Sequence, residues 1–277
     1  MKYDCHGQSN CKNGAKCLQD SANCPTTYMC VCSPCFYGTR CEISTNGFSP
    51  SLDAILGYHI KPHANIHRQT IVIKMSIVLS IIVIPIGLIS GILSLITFRN
   101  KEPCKTGCGY YLIGTSITSL STIIIFTCKF SILLSAQILS LTNQSFLQFQ
   151  CSSIDFLLRI SLYMDQWLNS CVAMERAITI IKGVNFNKVK SLKVAKLMIP
   201  ILFILTSCSL IHDPYHRRLI DEIYNDEKRI WCIVDSTANV QKYDYAVNSF
   251  HFCVSFIINL FSAITIIIKS ARLRTAF

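Results

Sequence analysis

Apolar residues in this chain gather into five long runs separated by short polar segments. Met75–Phe98 and Tyr245–Ile268 each extend 24 residues without Asp, Glu, Lys or Arg. Gly109 to Leu134 is apolar around a single Lys129, and Val194–Ile211 is shorter, with Lys196 at its base. Ile154–Ile180 is apolar at most positions and carries several ionisable ones. A helix needs about 20 residues to cross the hydrocarbon layer. Within lipid only helices and closed barrels satisfy every backbone N–H and C=O. The pattern predicts five membrane-spanning helices, near 75–98, 109–134, 154–180, 194–211 and 245–268. Ahead of them, residues 1–42 hold little aliphatic bulk, and 43–69 form a linker containing Gly, Pro and Ser.

Composition agrees with the runs. The chain is 51% hydrophobic and 15% charged, with a mean hydropathy of +0.41. That is too apolar for a soluble domain of 277 residues. The formal charge of +11 suggests nucleic acid until its location is considered. Arg99, Lys101 and Lys105, then Lys182, Lys188, Lys190, Lys193 and Lys196, then Lys269, Arg272 and Arg274 all fall between spans on one side, opposed only by Glu102. Segment 212–244, on the other side, has five bases against seven acids. This is the positive-inside asymmetry of a membrane protein, not a nucleic-acid footprint. It implies a multi-pass protein of the plasma membrane, with its N-terminus outside and its basic tail inside. No signal peptide precedes residue 5, so either the first span acts as a signal anchor or the true start lies upstream.

Sixteen cysteines fall into two sets. Eight, at 5, 11, 17, 24, 30, 32, 35 and 41, crowd the first segment and read as a disulfide framework outside the cell. Spacing alone leaves 105 connectivities open. The order Cys5, Cys11, Cys17, Cys30-Val31-Cys32, then Phe36-Tyr37-Gly38-Thr39-Arg40-Cys41, resembles an EGF-like module. The resemblance implies Cys5–Cys17, Cys11–Cys30 and Cys32–Cys41. Cys24 and Cys35 are extra and are expected to pair with each other. Asn23 and Tyr28 suit the second half of a calcium-binding version, but the acids needed before Cys5 are missing, so calcium is not expected.

The third run carries the most chemistry. Cys151 stands at its start and Glu175-Arg176-Ala177 at its end, 25 residues after the cysteine for Arg176. That separation is roughly 37 Å of helix, one bilayer crossing. Leu158, Leu162, Asp165, Asn169, Val172 and Arg176 recur at helical steps and form one stripe. Charges in a spanning helix are expected to face the bundle interior and to mark function. From Cys151 to Val184 the chain resembles the third helix and second inner loop of a rhodopsin-like (class A) G-protein-coupled receptor. The resemblance implies a bridge from Cys151 to Cys232 in the second outer loop, leaving Cys104, Cys108, Cys128, Cys171, Cys208 and Cys253 as thiols. It implies that Glu175-Arg176-Ala177 replaces the usual Asp-Arg-Tyr, with Arg176 pairing with Glu175 at rest and releasing on activation. Val184 stands where the family uses an apolar residue to enter the heterotrimeric G protein. The five lysines around Val184 face the acidic membrane surface as well as a partner.

Other positions depart from that family. Its second helix normally carries a buried Asp, and here Ser119 falls at that position. Its third helix normally places a Ser opposite, and here Asp165 stands there. The carboxylate is thus expected to have crossed the gap while the pair survives. A sodium ion or a proton then fits among Ser119, Asp165 and Asn169; the bland alternative is a neutral, hydrogen-bonded Asp165, and both stay open. No other cofactor is expected. The family's first-helix Asn appears as Gly91, its fifth-helix Pro as Ser255, and its fourth-helix Trp is absent. In the outer half, Lys129, Asp155 and Arg159 are candidates for a ligand pocket, unless Asp155 simply pairs with Arg159 one turn on and Lys129 snorkels outward. The acid used by amine receptors would fall at Leu158, so a peptide ligand is the better expectation. The sequon Asn143-Gln144-Ser145 lies in the first outer loop and is a candidate glycosylation site.

The family has two further helices, ending in an Asn-Pro-x-x-Tyr motif that this sequence lacks, so the chain reads as a receptor fragment with five of seven spans. The expected fold is an all-α transmembrane helical bundle over 70–277, preceded by a small disulfide-rich β module. The competing function is a non-signalling membrane adhesion or scaffold protein acting through the EGF-like cap. A transporter would offer inverted repeats and broken helices, and none is visible. No Ser–His–Asp set, phosphate loop or metal quartet stands out, so no enzyme activity is expected.

Overall fold

The computed structural model describes residues 3–5, 11–21, 27–34, 36–37, 40–41, 43–44, 59–60, 66–98, 106–139, 143–224, 227–234 and 238–275. The expected Cys24–Cys35 bridge, Asn23, Cys104 and the basic residues Arg99, Lys101 and Lys105 lie outside them. The chain divides into two compact units. One comprises Met1–Lys74, Ile132–Cys151 and His216–Ala238; the other comprises Met75–Ser131, Ser152–Tyr215 and Asn239–Phe277.

In the first unit, β1 (Tyr3–Asp4), β2 (Lys16–Gln19) and β3 (Tyr28–Val31) form an antiparallel sheet in that order. β4 (Phe36–Tyr37) pairs with β5 (Ile43–Ser44), which carries the sheet structure just past the expected boundary at residue 42. Cys17 and Cys30 face each other across β2 and β3, yet each bonds elsewhere. Among the described residues of the N-terminal sheets, Cys5–Cys17, Cys11–Cys30 and Cys32–Cys41 form disulfides, the three pairs the EGF-like resemblance implies. These short strands bury little apolar surface, so the cross-links do the work of a core.

The long helices are α1 (Ile71–Phe98), α2 (Gly107–Leu139), α3 (Gln144–Lys182), α4 (Lys188–Leu210) and α5 (Ala238–Thr275). Each begins ahead of the run that predicts it, and α2, α3 and α5 also continue past its end, because the flanking residues extend the backbone hydrogen bonding. Between α4 and α5 come a helical turn, Asp213–His216, and a hairpin of β6 (Arg217–Tyr224) and β7 (Glu227–Val234). Among the described residues, four segments are long and apolar enough to cross a membrane: Ile71–Phe98, Gly107–Ala136, Lys188–His216 and Asn239–Arg272. The sequence pattern predicts five, and α3 is the one that falls short. Asp155, Arg159, Asp165, Glu175 and Arg176 make it too polar to qualify by composition.

The second unit is built around α3. Its core joins Tyr111 of α2, Ile160, Met164, Trp167, Leu168 and Cys171 of α3, Ala195, Leu202 and Leu210 of α4, and Val247 of α5. α1 packs on α2 where it has no side chains: a Cβ on Gly87 or Gly91 would stand 2.5 Å from Ile123 or Leu120. Large apolar side chains elsewhere point outward, as with Ile81 of α1 and Phe261 of α5, both 65% exposed. Water would not tolerate such surfaces over whole helices, whereas lipid does.

The buried stripe of α3 differs from the one expected. Ile160, Met164, Leu168 and Cys171 face the core, while Leu162, Asn169 and Arg176 of the expected stripe are exposed. The apolar residues, not the charged ones, set the rotation of the helix. Charges are buried only where another helix brings a partner.

Candidate functional site

At the first turn of α3, Asn143 caps the helix: its Oδ1 accepts from Phe146 N–H at 3.2 Å. The residue is exposed, and the cap uses the amide oxygen and not the amide nitrogen. Two turns on, Cys151 is fully buried and bonded to Cys232 of β7, with a Cα–Cα distance of 5.7 Å. Gln148 reinforces that union, donating to Arg217 O at 3.1 Å and accepting from Leu219 N–H at 3.2 Å.

Further along, the three expected pocket residues are all paired. Lys129 of α2 is fully buried and meets Asp155 at 3.3 Å. It does not snorkel, because the carboxylate on α3 lies within reach and is itself buried. Asp155 therefore does not pair with Arg159. The Arg159 guanidinium instead reaches Asp213 at 3.1 Å, Asp244 at 2.9 Å and Asn248 Oδ1 at 2.9 Å. Two carboxylates thus share one guanidinium. His212 stands beside them, with Nε2 3.5 Å from Asp244 and Nδ1 3.1 Å from Ser209 O.

Next comes an aromatic layer. Tyr163 donates to Asn248 Oδ1 and stacks on His251, ring centroids 4.6 Å apart. The Trp167 indole N–H donates to His251 Nδ1 at 2.8 Å. Nδ1 is therefore the acceptor, and Nε2–H donates to Ser209 Oγ at 2.9 Å. One imidazole, almost wholly buried, thereby joins α3, α4 and α5.

Asp165 and Ser119 do meet. Oδ1 accepts from Ser119 at 3.0 Å and from Thr118 at 3.1 Å, and Oδ2 accepts from Asn169 at 3.2 Å. Among the described residues no base lies within salt-bridge distance of this half-buried carboxylate. Two hydroxyl oxygens and the carboxylate converge there, with the Asn169 amide nitrogen turned toward Oδ2. Among the described residues no three His, Cys, Asp or Glu side chains gather as a metal site.

At the far end of α3, Glu175 and Arg176 part company. Glu175 is buried and accepts from Ser191 Oγ of α4 at 2.5 Å. Ser191 Oγ in turn accepts from Gly107 N–H, the first residue of α2, at 3.2 Å. A Cβ on Gly107 would stand 2.5 Å from Ser191 Oγ and 2.8 Å from Glu175 Oε2, so only glycine admits this approach. The carboxylate thus sits at the positive end of α2. Arg176, exposed, makes no ion pair with Glu175 and interacts instead with the Cys108 thiol. The expected resting pair is absent because adjacent residues on a helix point apart, and α2 and α4 claim the acid. Gly183, at φ +51°, turns the chain after α3 and leaves Val184 fully exposed. The free thiols among the described residues are Cys108, Cys128, Cys171, Cys208 and Cys253.

Sequence reasoning missed Tyr163, Trp167, Ser191, Ser209, Asp213, Asp244, Asn248 and His251. One signal was present: Asp244, Asn248 and His251 recur at helical spacing in a run otherwise apolar. No protein-family model matches the chain, and no curated protein is detectably similar to it.

Proposed function

We propose that this protein is a divergent rhodopsin-like receptor of the plasma membrane, with an EGF-like module outside and a heterotrimeric G protein as its inner partner. The observation that carries this reading is the disulfide from the first turns of α3 to the β6–β7 hairpin, combined with an acid–arginine pair one bilayer crossing later. The exposed Arg176 and the wholly exposed Val184 leave cationic and apolar tips available at the inner surface. The Ser119–Asp165 contact also supports it, as the family's acid–serine pair with its members exchanged between helices.

In this reading Asp165, Ser119, Thr118 and Asn169 hold a sodium ion that favours one state of the bundle, and the ion pairs of Arg159, Asp155 and Lys129 stiffen its outer half. Because all three charged side chains are already paired, contacts to a peptide ligand fall on the hairpin and the cap. A glycan on Asn143 lies on the outer side.

The deciding experiment measures nucleotide exchange on a G protein by the product of the full transcript. Arg176→Ala is expected to lower exchange by about five- to hundredfold with surface expression unchanged. Unaltered exchange in that variant, or a reduced Cys151 in the native protein, would point instead to an adhesion or scaffold protein acting through the cap. Asp165→Asn should abolish any sodium dependence of ligand binding; a dependence that persists removes the ion from the mechanism.

A further inference from the structure

α4 turns Ala195, Leu202, Thr206 and Leu210 to the interior. On the opposite side Lys193, Leu197, Pro200 and Ile204 recur at steps of four, three and four, one continuous stripe. All are exposed, Leu197 by 62% and Ile204 by 60%. Lys196, also exposed, flanks the stripe, and its ammonium lies 5.6 Å from the ring centroid of Tyr110 on α2. That is within cation–π range and holds the charge at the edge of the apolar surface. No acid occurs between Arg176 and Ile211.

We propose that this face of α4 is a binding site for an acidic phospholipid. An acyl chain lies along Leu197, Pro200 and Ile204, and the phosphate sits between Lys193 and Lys196 beside Tyr110. A nucleic acid or an acidic protein would satisfy the lysines and leave the stripe below them uncovered. A lipid with a negative headgroup covers both. The inference needs only that α4 crosses the bilayer, and stands whether or not the protein is a receptor.

The test reconstitutes the full chain in nanodiscs of phosphatidylcholine containing a minor fraction of phosphatidylserine or of phosphatidylinositol bisphosphate, and reads retained lipid by native mass spectrometry. An acidic lipid is expected to be retained in excess over the choline lipid. Retention of both acidic lipids assigns recognition to charge; retention of the bisphosphate alone assigns it to phosphate monoesters; either supports the site. The Lys193→Ala/Lys196→Ala variant should lose about twenty- to thirtyfold in affinity, roughly fivefold per lysine. Tyr110→Phe should keep binding and Tyr110→Ala should weaken it. Lys242→Ala, an exposed lysine at the start of α5, should change nothing. Equal retention of the choline lipid, undiminished binding in the double variant, or an equal loss in Lys242→Ala overturns the proposal.

Discussion

Two arginines on α3 meet opposite fates. Arg159 is enclosed by Asp213 and Asp244, with Asn248 completing its hydrogen bonds. Arg176 is exposed, and the acid beside it in sequence serves a different helix. The residue type is the same, so the difference lies in what neighbouring elements supply. Around Arg159 two other segments deliver carboxylates. Beside Arg176 the neighbouring helices deliver a serine and a helix N-terminus, which take the Glu175 carboxylate and leave the guanidinium outside. One arginine is therefore bound into the bundle and the other is left at its surface.

The sharpest way to break that contrast is to remove Arg159. Arg159→Ala leaves two carboxylates facing each other without a cation and should destabilise the protein by about 3–5 kcal/mol, read from thermal unfolding in detergent. Asp213→Asn/Asp244→Asn in that background should recover part of the loss, because the stranded charges are gone. No loss in the single variant would mean that the cluster does not hold α3 to its neighbours.

A smaller effect is expected where α2, α3 and α4 meet at Glu175. Gly107→Ala forces a methyl group against Ser191 and Glu175 and should cost about 1–3 kcal/mol. Ser191→Ala removes one hydrogen bond to a carboxylate and should cost about 1.5–3 kcal/mol. If both leave unfolding unchanged, Glu175 is not the acid that fixes this end.

Asp165→Asn keeps an acceptor for Ser119 and Thr118 and should shift stability by less than about 1 kcal/mol, while removing any cation dependence of that stability measured in sodium against choline salts. Smallest of all, Arg176→Ala should move unfolding by no more than about 0.5 kcal/mol, since an exposed side chain without an acid loses little. A large loss there would erase the distinction between the two arginines.

Much of the fold is legible in the pattern of apolar runs. A 24-residue segment without charge admits few structures other than a spanning helix, and α1 and α5 follow directly. Cysteine order and the spacing from Cys151 to Arg176 point to particular partners through family resemblance, and four of the five expected bridges lie within the described residues and form. The Ser119–Asp165 meeting is likewise anticipated from aligned positions. The partners of Lys129, Asp155, Arg159 and Glu175 are not, because each ion pair or hydrogen bond joins residues 16 to 89 positions apart.

By itself the sequence determined which segments must leave water, since hydrophobicity is a property of each residue and its periodicity survives without a fold. It also set the redox character of the cap through the density of cysteines. Only the tertiary structure decided which charges are neutralised and which are left exposed. Coulomb energy and desolvation depend on distances between helices, and a linear chain does not contain those distances.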